Sequence, residues 1–370
     1  MDGCMVCRIG AIGLGHWFLQ LCAEIHNDSS VAIAKAAAAD DYSMHQAVLG
    51  DFGVGKESYY KMGPGGEIPL ELMQEVDLVY ISTPNEYHAE QVMQALSAGK
   101  FVVVEKTLGV TKDEFMRVSD FIRKNGFEDK VFLHLHYVGR NIVSALPGLA
   151  GKFTNEHGRI QSFKAVFWEE DNDIDREMAG WLLKQKNGGI FMDAMHPYEI
   201  LFYGLGADEV HIEDLQLHIV NEAYSTVYPS GVDVVARVRG ANFAEDSAQG
   251  AIRIGKGFSK GYGERKMEFN FADSSTLYIS FISYEYEKNR VQMPYWELIS
   301  KANGREEVLD FGKPGSEDDS EGRTLVSSIV KLYNGGGPDL KLDEAIRIFG
   351  PQWEYQRMSV GMKPAAFKYR

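Results

Sequence analysis

Cysteine is scarce: the chain of 370 residues has three, Cys4, Cys7 and Cys22. Cys4-x-x-Cys7 lacks the second ligand pair of a four-coordinate zinc site, so packing in a first strand explains these residues better than metal or redox chemistry, and no metal is expected. Long apolar runs are missing too. The longest, such as Val31 to Ala39 and Phe101 to Val104, fall short of the roughly 20 residues that span a bilayer, which excludes a membrane helix. The N-terminus, Met1-Asp2-Gly3-Cys4, has neither the basic flank nor the apolar stretch of a secretory signal, and a cytoplasmic location is expected. Positive charge is in deficit, with 38 Lys and Arg against 53 Asp and Glu for a net charge of −15, and no basic cluster offsets it. That field repels a phosphate backbone, so nucleic acid is not an expected partner.

What the chain does have is an ordinary globular composition, 45% hydrophobic and 25% charged, over a length that exceeds one hydrophobic core. Two domains are expected. In the first, apolar runs alternate with helical spacing. Residues 5–12 lead into Gly13-Leu14-Gly15 and a helix through Ile25; Val31 to Ala39 stops at Asp40-Asp41; residues 76–81 end at Ser82-Thr83-Pro84-Asn85. A helix from Tyr87 to Ala98, a strand to Glu105, a capping box at Thr111-Lys-Asp-Glu114 and a strand from Val131 to Tyr137 complete the series. Strand–helix alternation predicts an α/β, doubly wound parallel sheet with its ligand at the carboxyl ends of the strands. From about Arg159 longer alternating segments, such as Lys266 to Ala272, predict an α+β domain on a large, mostly antiparallel open sheet. A helix from Asn187 to Leu205 interrupts it. The expected division is 1–131 and 132–370.

Gly13-Leu-Gly15-His16-Trp17-Phe18 is an incomplete dinucleotide fingerprint: two glycines permit the tight turn and close approach of pyrophosphate, but Phe18 stands where a third small residue is usual. Asp40, 27 residues after Gly13, ends the second strand where an acidic side chain binds the ribose hydroxyls. With Asp41 beside it, a 2′-phosphate would be repelled, which favours NAD while leaving NADP open. Thr83, Pro84 and Asn85 turn the chain beside the cofactor or form a plain structural turn, and His88 reads as a capping or packing residue near them. Glu105-Lys106 ends a strand at the same edge, where a lysine can polarise a carbonyl or simply pair with Glu105. Asp193 and His196, after Gly188-Gly189, share one face of a helix at i and i+3, fit either for proton transfer or for capping and packing.

Taken in order, Gly13-x-Gly15, Thr83-Pro84-Asn85-x-x-His88, Ala98-Gly99-Lys100 with Glu105-Lys106, and Gly188-Gly189 with Asp193 and His196 resemble the glucose-fructose oxidoreductase / inositol dehydrogenase / MocA family. The resemblance implies a Rossmann domain followed by an open-sheet domain, NAD or NADP as cofactor, a sugar or cyclic polyol substrate, and a homodimer or homotetramer built on the C-terminal sheet through an apolar outer face. By position, Lys106 corresponds to the catalytic lysine of a Glu-Lys-Pro motif, and Asp193 and His196 to the substrate-binding and proton-transfer pair. Tyr137, Arg140 and Trp181 join them as substrate-binding candidates, with His134, His136 or Tyr137 as alternative proton carriers. Thr107 replaces the motif's proline, and Asp193 and His196 are one residue closer than usual. Two other readings stand beside a dehydrogenase: an NAD-dependent glycosidase and a non-catalytic cofactor sensor.

Overall fold

The first apolar run forms strand β1 (Cys7–Ile12), with Cys7, Ile9, Ala11 and Ile12 fully enclosed. The computed structural model describes residues 6–26, 28–139, 141–170, 188–220, 229–258, 264–281, 284–285, 290–291, 295–300, 305–309 and 321–367. Cys4, Arg140 and Trp181 lie outside them. After β1 come helix α1 (His16–Ile25), β2 (Val31–Ala38), α2 (Tyr42–Asp51), β3 (Tyr59–Lys61), α3 (Leu70–Gln74), β4 (Leu78–Ile81), α4 (Asn85–Ser97), β5 (Phe101–Glu105), α5 (Lys112–Asn125) and β6 (Val131–His134). The six strands form one sheet in the order β3-β2-β1-β4-β5-β6, and every neighbouring pair is parallel. Strands β1, β4, β5 and β6 are covered on both faces, which is why their runs read as continuously apolar rather than alternating. Strand order reverses between β1 and β4, so the crevice where a ligand binds opens at their carboxyl ends.

Helix α5 starts where the sequence predicts it. Thr111 Oγ1 accepts from the Glu114 backbone at 3.2 Å, while Glu114 Oε2 accepts from the Thr111 backbone at 3.1 Å. The predicted β6 is shorter than expected, ending at His134. Phe18, the departure from the glycine fingerprint, is a core residue that packs with Leu21, Cys22 and Ile25. Leu325, Val326, Ile329 and Leu332, from the helix Glu321–Tyr333, complete the same core. Residues 1–135 and 320–345 therefore make one compact unit, and 136–319 with 346–370 the other.

The second unit is built on a nine-stranded sheet. Its strands run in the order Arg305–Leu309, Tyr295–Ser300, β12 (Thr276–Phe281), β11 (Glu264–Phe271), β7 (Ile160–Glu170), β10 (Ala248–Phe258), β9 (Gly231–Gly240), β8 (Ala207–Ile219) and Ala365–Ala366. Only β7 with β10, and β8 with Ala365–Ala366, run parallel. One parity of each strand is apolar and inward: Phe163, Ala165 and Phe167 on β7, Ile252 and Ile254 on β10, Met267 and Phe269 on β11. The opposite parity is not the apolar face expected for a partner. It carries charged and amide pairs, Arg237 with Glu213, Arg239 with Glu209 and Gln249 with Glu213, because these side chains stay in water where burial would strip their hydration.

The predicted helix from Asn187 to Leu205 is a second correction. Among the described residues the segment is three short turns: a 3₁₀ turn at Gly189–Met192, a helical turn at His196–Tyr198 and a wider π turn at Glu199–Gly204. Gly188 and Gly189 open it with φ of 89° and 62°, and Pro197 supplies no amide donor to a continuous helix.

Candidate active site

In the first unit the sequence-selected residues gather at the carboxyl edge of the parallel sheet. Gly13 has φ of 83°, and a Cβ there would lie 2.7 Å from Ser82 and Thr83 backbone atoms, so the β1–α1 turn presses directly on the end of β4. Gly15 is different: a Cβ there would meet nothing within 4 Å. The space before α1 is open. No side chain caps that helix, and no acidic residue lies in its first turn, so its amide donors suit a pyrophosphate. His16 is exposed beside Gln20, at 3.2 Å, and Trp17 is half-buried.

Asp40 lies just past β2 with its carboxylate largely exposed, 3.6 Å from His45 Nε2, and its backbone oxygen accepts from Tyr59 at 2.6 Å. Asp41 pairs with Lys61 at 2.7 Å, and that hydrogen bond and charge hold its carboxyl below the usual range. Thr83 donates to Gln91 Oε1 at 2.6 Å; Pro84 precedes α4 and Asn85 is its buried first residue.

His88 is fully enclosed. Its Nε2 lies 2.7 Å from the Thr83 carbonyl oxygen and its Nδ1 lies 2.8 Å from that of Thr107. It therefore lies between the turn after β4 and the turn after β5 and touches the backbone of both. Burial pushes the imidazole below its ordinary pKa, and the two carbonyls pull part of the way back.

Lys106 follows β5 and is half-buried at this edge. Glu105 is enclosed, with Oε1 accepting from Tyr80 at 2.7 Å and lying 2.8 Å from His134 Nδ1. Burial, then the Glu105 charge, push the Tyr80 hydroxyl well above its ordinary range, so this tyrosine stays a donor. Cys7 is equally inert: burial, then Asp77, raise its thiol to about 12.

In the second unit the three turns bring Asp193 and His196 together despite their shortened spacing. His196 Nε2 lies 3.9 Å from Asp193 Oδ1, and both side chains are at least nine-tenths buried. The ring of Tyr137 is 4.7 Å from that of His196, and His136 stacks on the same imidazole at 6.1 Å. Four charged partners were not singled out from sequence. Lys256 reaches Asp193 Oδ2 at 3.0 Å and also pairs with Glu169; Arg265 pairs with Glu169 at 2.7 Å; Glu199 lies 2.8 Å from His196 Nδ1. The signal was parity. Glu169, Lys256 and Arg265 fall in phase with the inward Phe167, Ile254 and Met267, where a charge has no reason to sit unless it is paired.

Comparisons with known proteins identify the family of the first unit and the fold. A family model described as "Oxidoreductase family, NAD-binding Rossmann fold" matches residues 7–129. A glycosyl hydrolase family 109 protein of Shewanella amazonensis is 25% identical over 193 residues, 50% of this chain and 42% of that protein. A 1,5-anhydro-D-fructose reductase of Ensifer adhaerens is 28% identical over 192 residues, 50% of this chain and 48% of that protein. The matched region thus spans less than half the length of these relatives. Among solved structures, a 3-ketoreductase from Actinomadura kijaniata in complex with NADP and TDP-benzene superposes with a TM-score of 0.72 at 16% identity, covering 98% of this chain and all of that one, a likeness of fold.

Proposed function

Because residues 7–129 belong to the NAD-binding domain of the Gfo/Idh/MocA oxidoreductase family, we propose that this chain is a dehydrogenase or reductase acting on a carbinol or carbonyl carbon of a sugar or cyclic polyol. The observation that carries the reading is the buried Asp193–His196 pair, a proton-handling group in a chain with a nucleotide-binding edge. The reductase of Ensifer adhaerens, named for an anhydrosugar substrate, supports the substrate class.

Gly13, Gly15 and the first turn of α1 would hold the pyrophosphate, and Asp40 the adenosine ribose, which favours NAD over NADP. When bound, the nicotinamide takes or returns the hydride. In oxidation His196 accepts the hydroxyl proton as the carbon–hydrogen bond breaks, and in reduction it returns that proton to the new alcohol oxygen. Lys106, at the nucleotide-binding edge of the first unit, is the cation assigned to stabilise negative charge developing in the reaction. Asp193, held by Lys256, accepts from a neighbouring hydroxyl and orients the ring or chain.

The test is a fluorescence titration with NADH and NADPH, followed by turnover of wild type, Lys106→Ala and His196→Ala on a sugar and polyol panel. Both variants should retain nucleotide binding and lose turnover by about 10²–10⁴-fold. Failure to bind either nucleotide, or undiminished turnover in Lys106→Ala, would overturn the reading. The glycosyl hydrolase of Shewanella amazonensis supports a second one, glycoside cleavage by transient oxidation, which product analysis would reveal as sugar release without net change in cofactor.

A further inference from the structure

The structure assigns Glu199 as the residue that decides which nitrogen of His196 carries its proton, an inference that rests on the proton-transfer role proposed above. Glu199 opens the π turn and has no exposed surface. Its Oε2 accepts from the backbone amides of Tyr137 at 2.9 Å and Val138 at 3.1 Å. Its Oε1 lies 2.8 Å from His196 Nδ1. Backbone amides only donate, so Oε2 is fixed as an acceptor, and two such bonds favour the ionised carboxylate. An ionised carboxylate has no proton to give, so the contact at Oε1 requires the hydrogen on Nδ1. In the neutral ring the lone pair then sits on Nε2, the nitrogen that faces Asp193 Oδ1 at 3.9 Å.

Among the described contacts, Tyr137, His136 and Phe167 face the ring through their own rings at 4.7, 6.1 and 6.4 Å, and Asp193 Oδ1, at 3.9 Å from Nε2, is beyond hydrogen-bond distance while its other oxygen meets Lys256 at 3.0 Å. Glu199 is a positioning residue. When Nε2 takes a proton from the substrate hydroxyl, the oxygen–hydrogen bond breaks, the nitrogen–hydrogen bond forms, and the resulting imidazolium is balanced across Nδ1 by the Glu199 charge.

Glu199→Gln tests this with almost no change of shape. Two backbone donors oblige the new amide to present its oxygen to Tyr137 and Val138, so its NH₂ group must donate to Nδ1. The ring proton is thereby driven to Nε2, and the base is lost. With NADH bound and no substrate, ring ¹⁵N spectra of His196 should show the proton on Nδ1 in wild type and on Nε2 in Glu199→Gln. Turnover should fall on the order of 10²–10⁴-fold, as when the orienting carboxylate of a catalytic triad becomes an amide, with KM and NADH affinity little changed. Glu199→Asp should keep the wild-type proton position and recover part of the turnover. A wild-type ring protonated at Nε2, or the same proton position in wild type and Glu199→Gln, would overturn the assignment. A proton that moves as described while His196→Ala turns over normally would instead sink the proton-transfer role and leave the assignment standing.

Discussion

Lys256 and Glu169 are register partners on the parallel strands β10 and β7, and their ion pair lies on the inward face of the sheet. The same ammonium is 3.0 Å from Asp193 Oδ2, so one buried cation serves two carboxylates, one of them a proposed substrate ligand. Burial alone would raise the Glu169 carboxyl, and Asp193 adds to that. Lys256 and Arg265 outweigh both and hold it below the usual carboxylate range.

Removing that cation should therefore cost stability in a pH-dependent way. Lys256→Met keeps the side-chain length, leaves Glu169 its pair with Arg265 and takes from Asp193 the ammonium at 3.0 Å. Breaking one partner out of a buried ion group costs about 3–5 kcal/mol near neutral pH. In wild type Glu169 is depressed, so its contribution is complete above the unfolded pKa and is lost as pH falls through the folded one. In the variant the carboxyls rise and are relieved by protonation, so acid narrows the gap. Urea denaturation of both proteins from about pH 7.5 to about pH 5 measures this, and a gap that widens in acid would refute it.

His88 is the corresponding device in the first unit. His88→Leu fills the site but removes the one N–H that the neutral ring offers to the Thr83 or Thr107 carbonyl, at a cost of about 1–3 kcal/mol for the buried group left unpaired. The two turns it ties carry Asn85 and Lys106, so NADH should bind more weakly as well. The sign of the pH effect follows from its lowered pKa. The folded state holds fewer protons than the unfolded chain below the ordinary value of 6.5, so wild type loses stability as pH drops from there toward the folded pKa. His88→Leu should lack that loss. Thermal melts across this window decide it, and parallel slopes in the two proteins would contradict the argument.

How much of this was legible beforehand varies with the kind of signal. The parallel sheet was, because strands buried on both faces write themselves as apolar runs and turns such as Gly13-Leu-Gly15 mark their ends. The capping box of α5 was, because Thr111 and Glu114 carry the whole device within four residues. The return of the helix Glu321–Tyr333 to pack with Phe18 and Leu21 was not. Periodicity identifies the buried face of a helix and says nothing of its neighbour. Glu199 was missed because the segment read as one regular helix. Pro197 and the two glycines instead break it into turns whose geometry no fixed spacing describes. Lys256 and Glu169 could have been found by asking why a charge falls in phase with Ile254 and Phe167.

The two fingerprint glycines give the sharpest separation between folding and binding. Gly13→Ala places a Cβ 2.7 Å from the Ser82 and Thr83 backbone at a positive φ, so neither the neighbour nor the conformation can yield cheaply. It should lower the melting temperature, and binding with it. Gly15→Ala adds the same methyl group at φ of −83°, into space that no protein atom occupies. Restricting the unfolded chain should leave stability unchanged or raise it by about 0.4–1 kcal/mol. If that space receives the pyrophosphate, NADH affinity should nevertheless fall by about tenfold or more, a loss of about 1.4 kcal/mol. Melting curves and NADH titrations on the same two variants separate these outcomes. Wild-type affinity in Gly15→Ala would mean that the nucleotide does not approach α1 where the open space invites it.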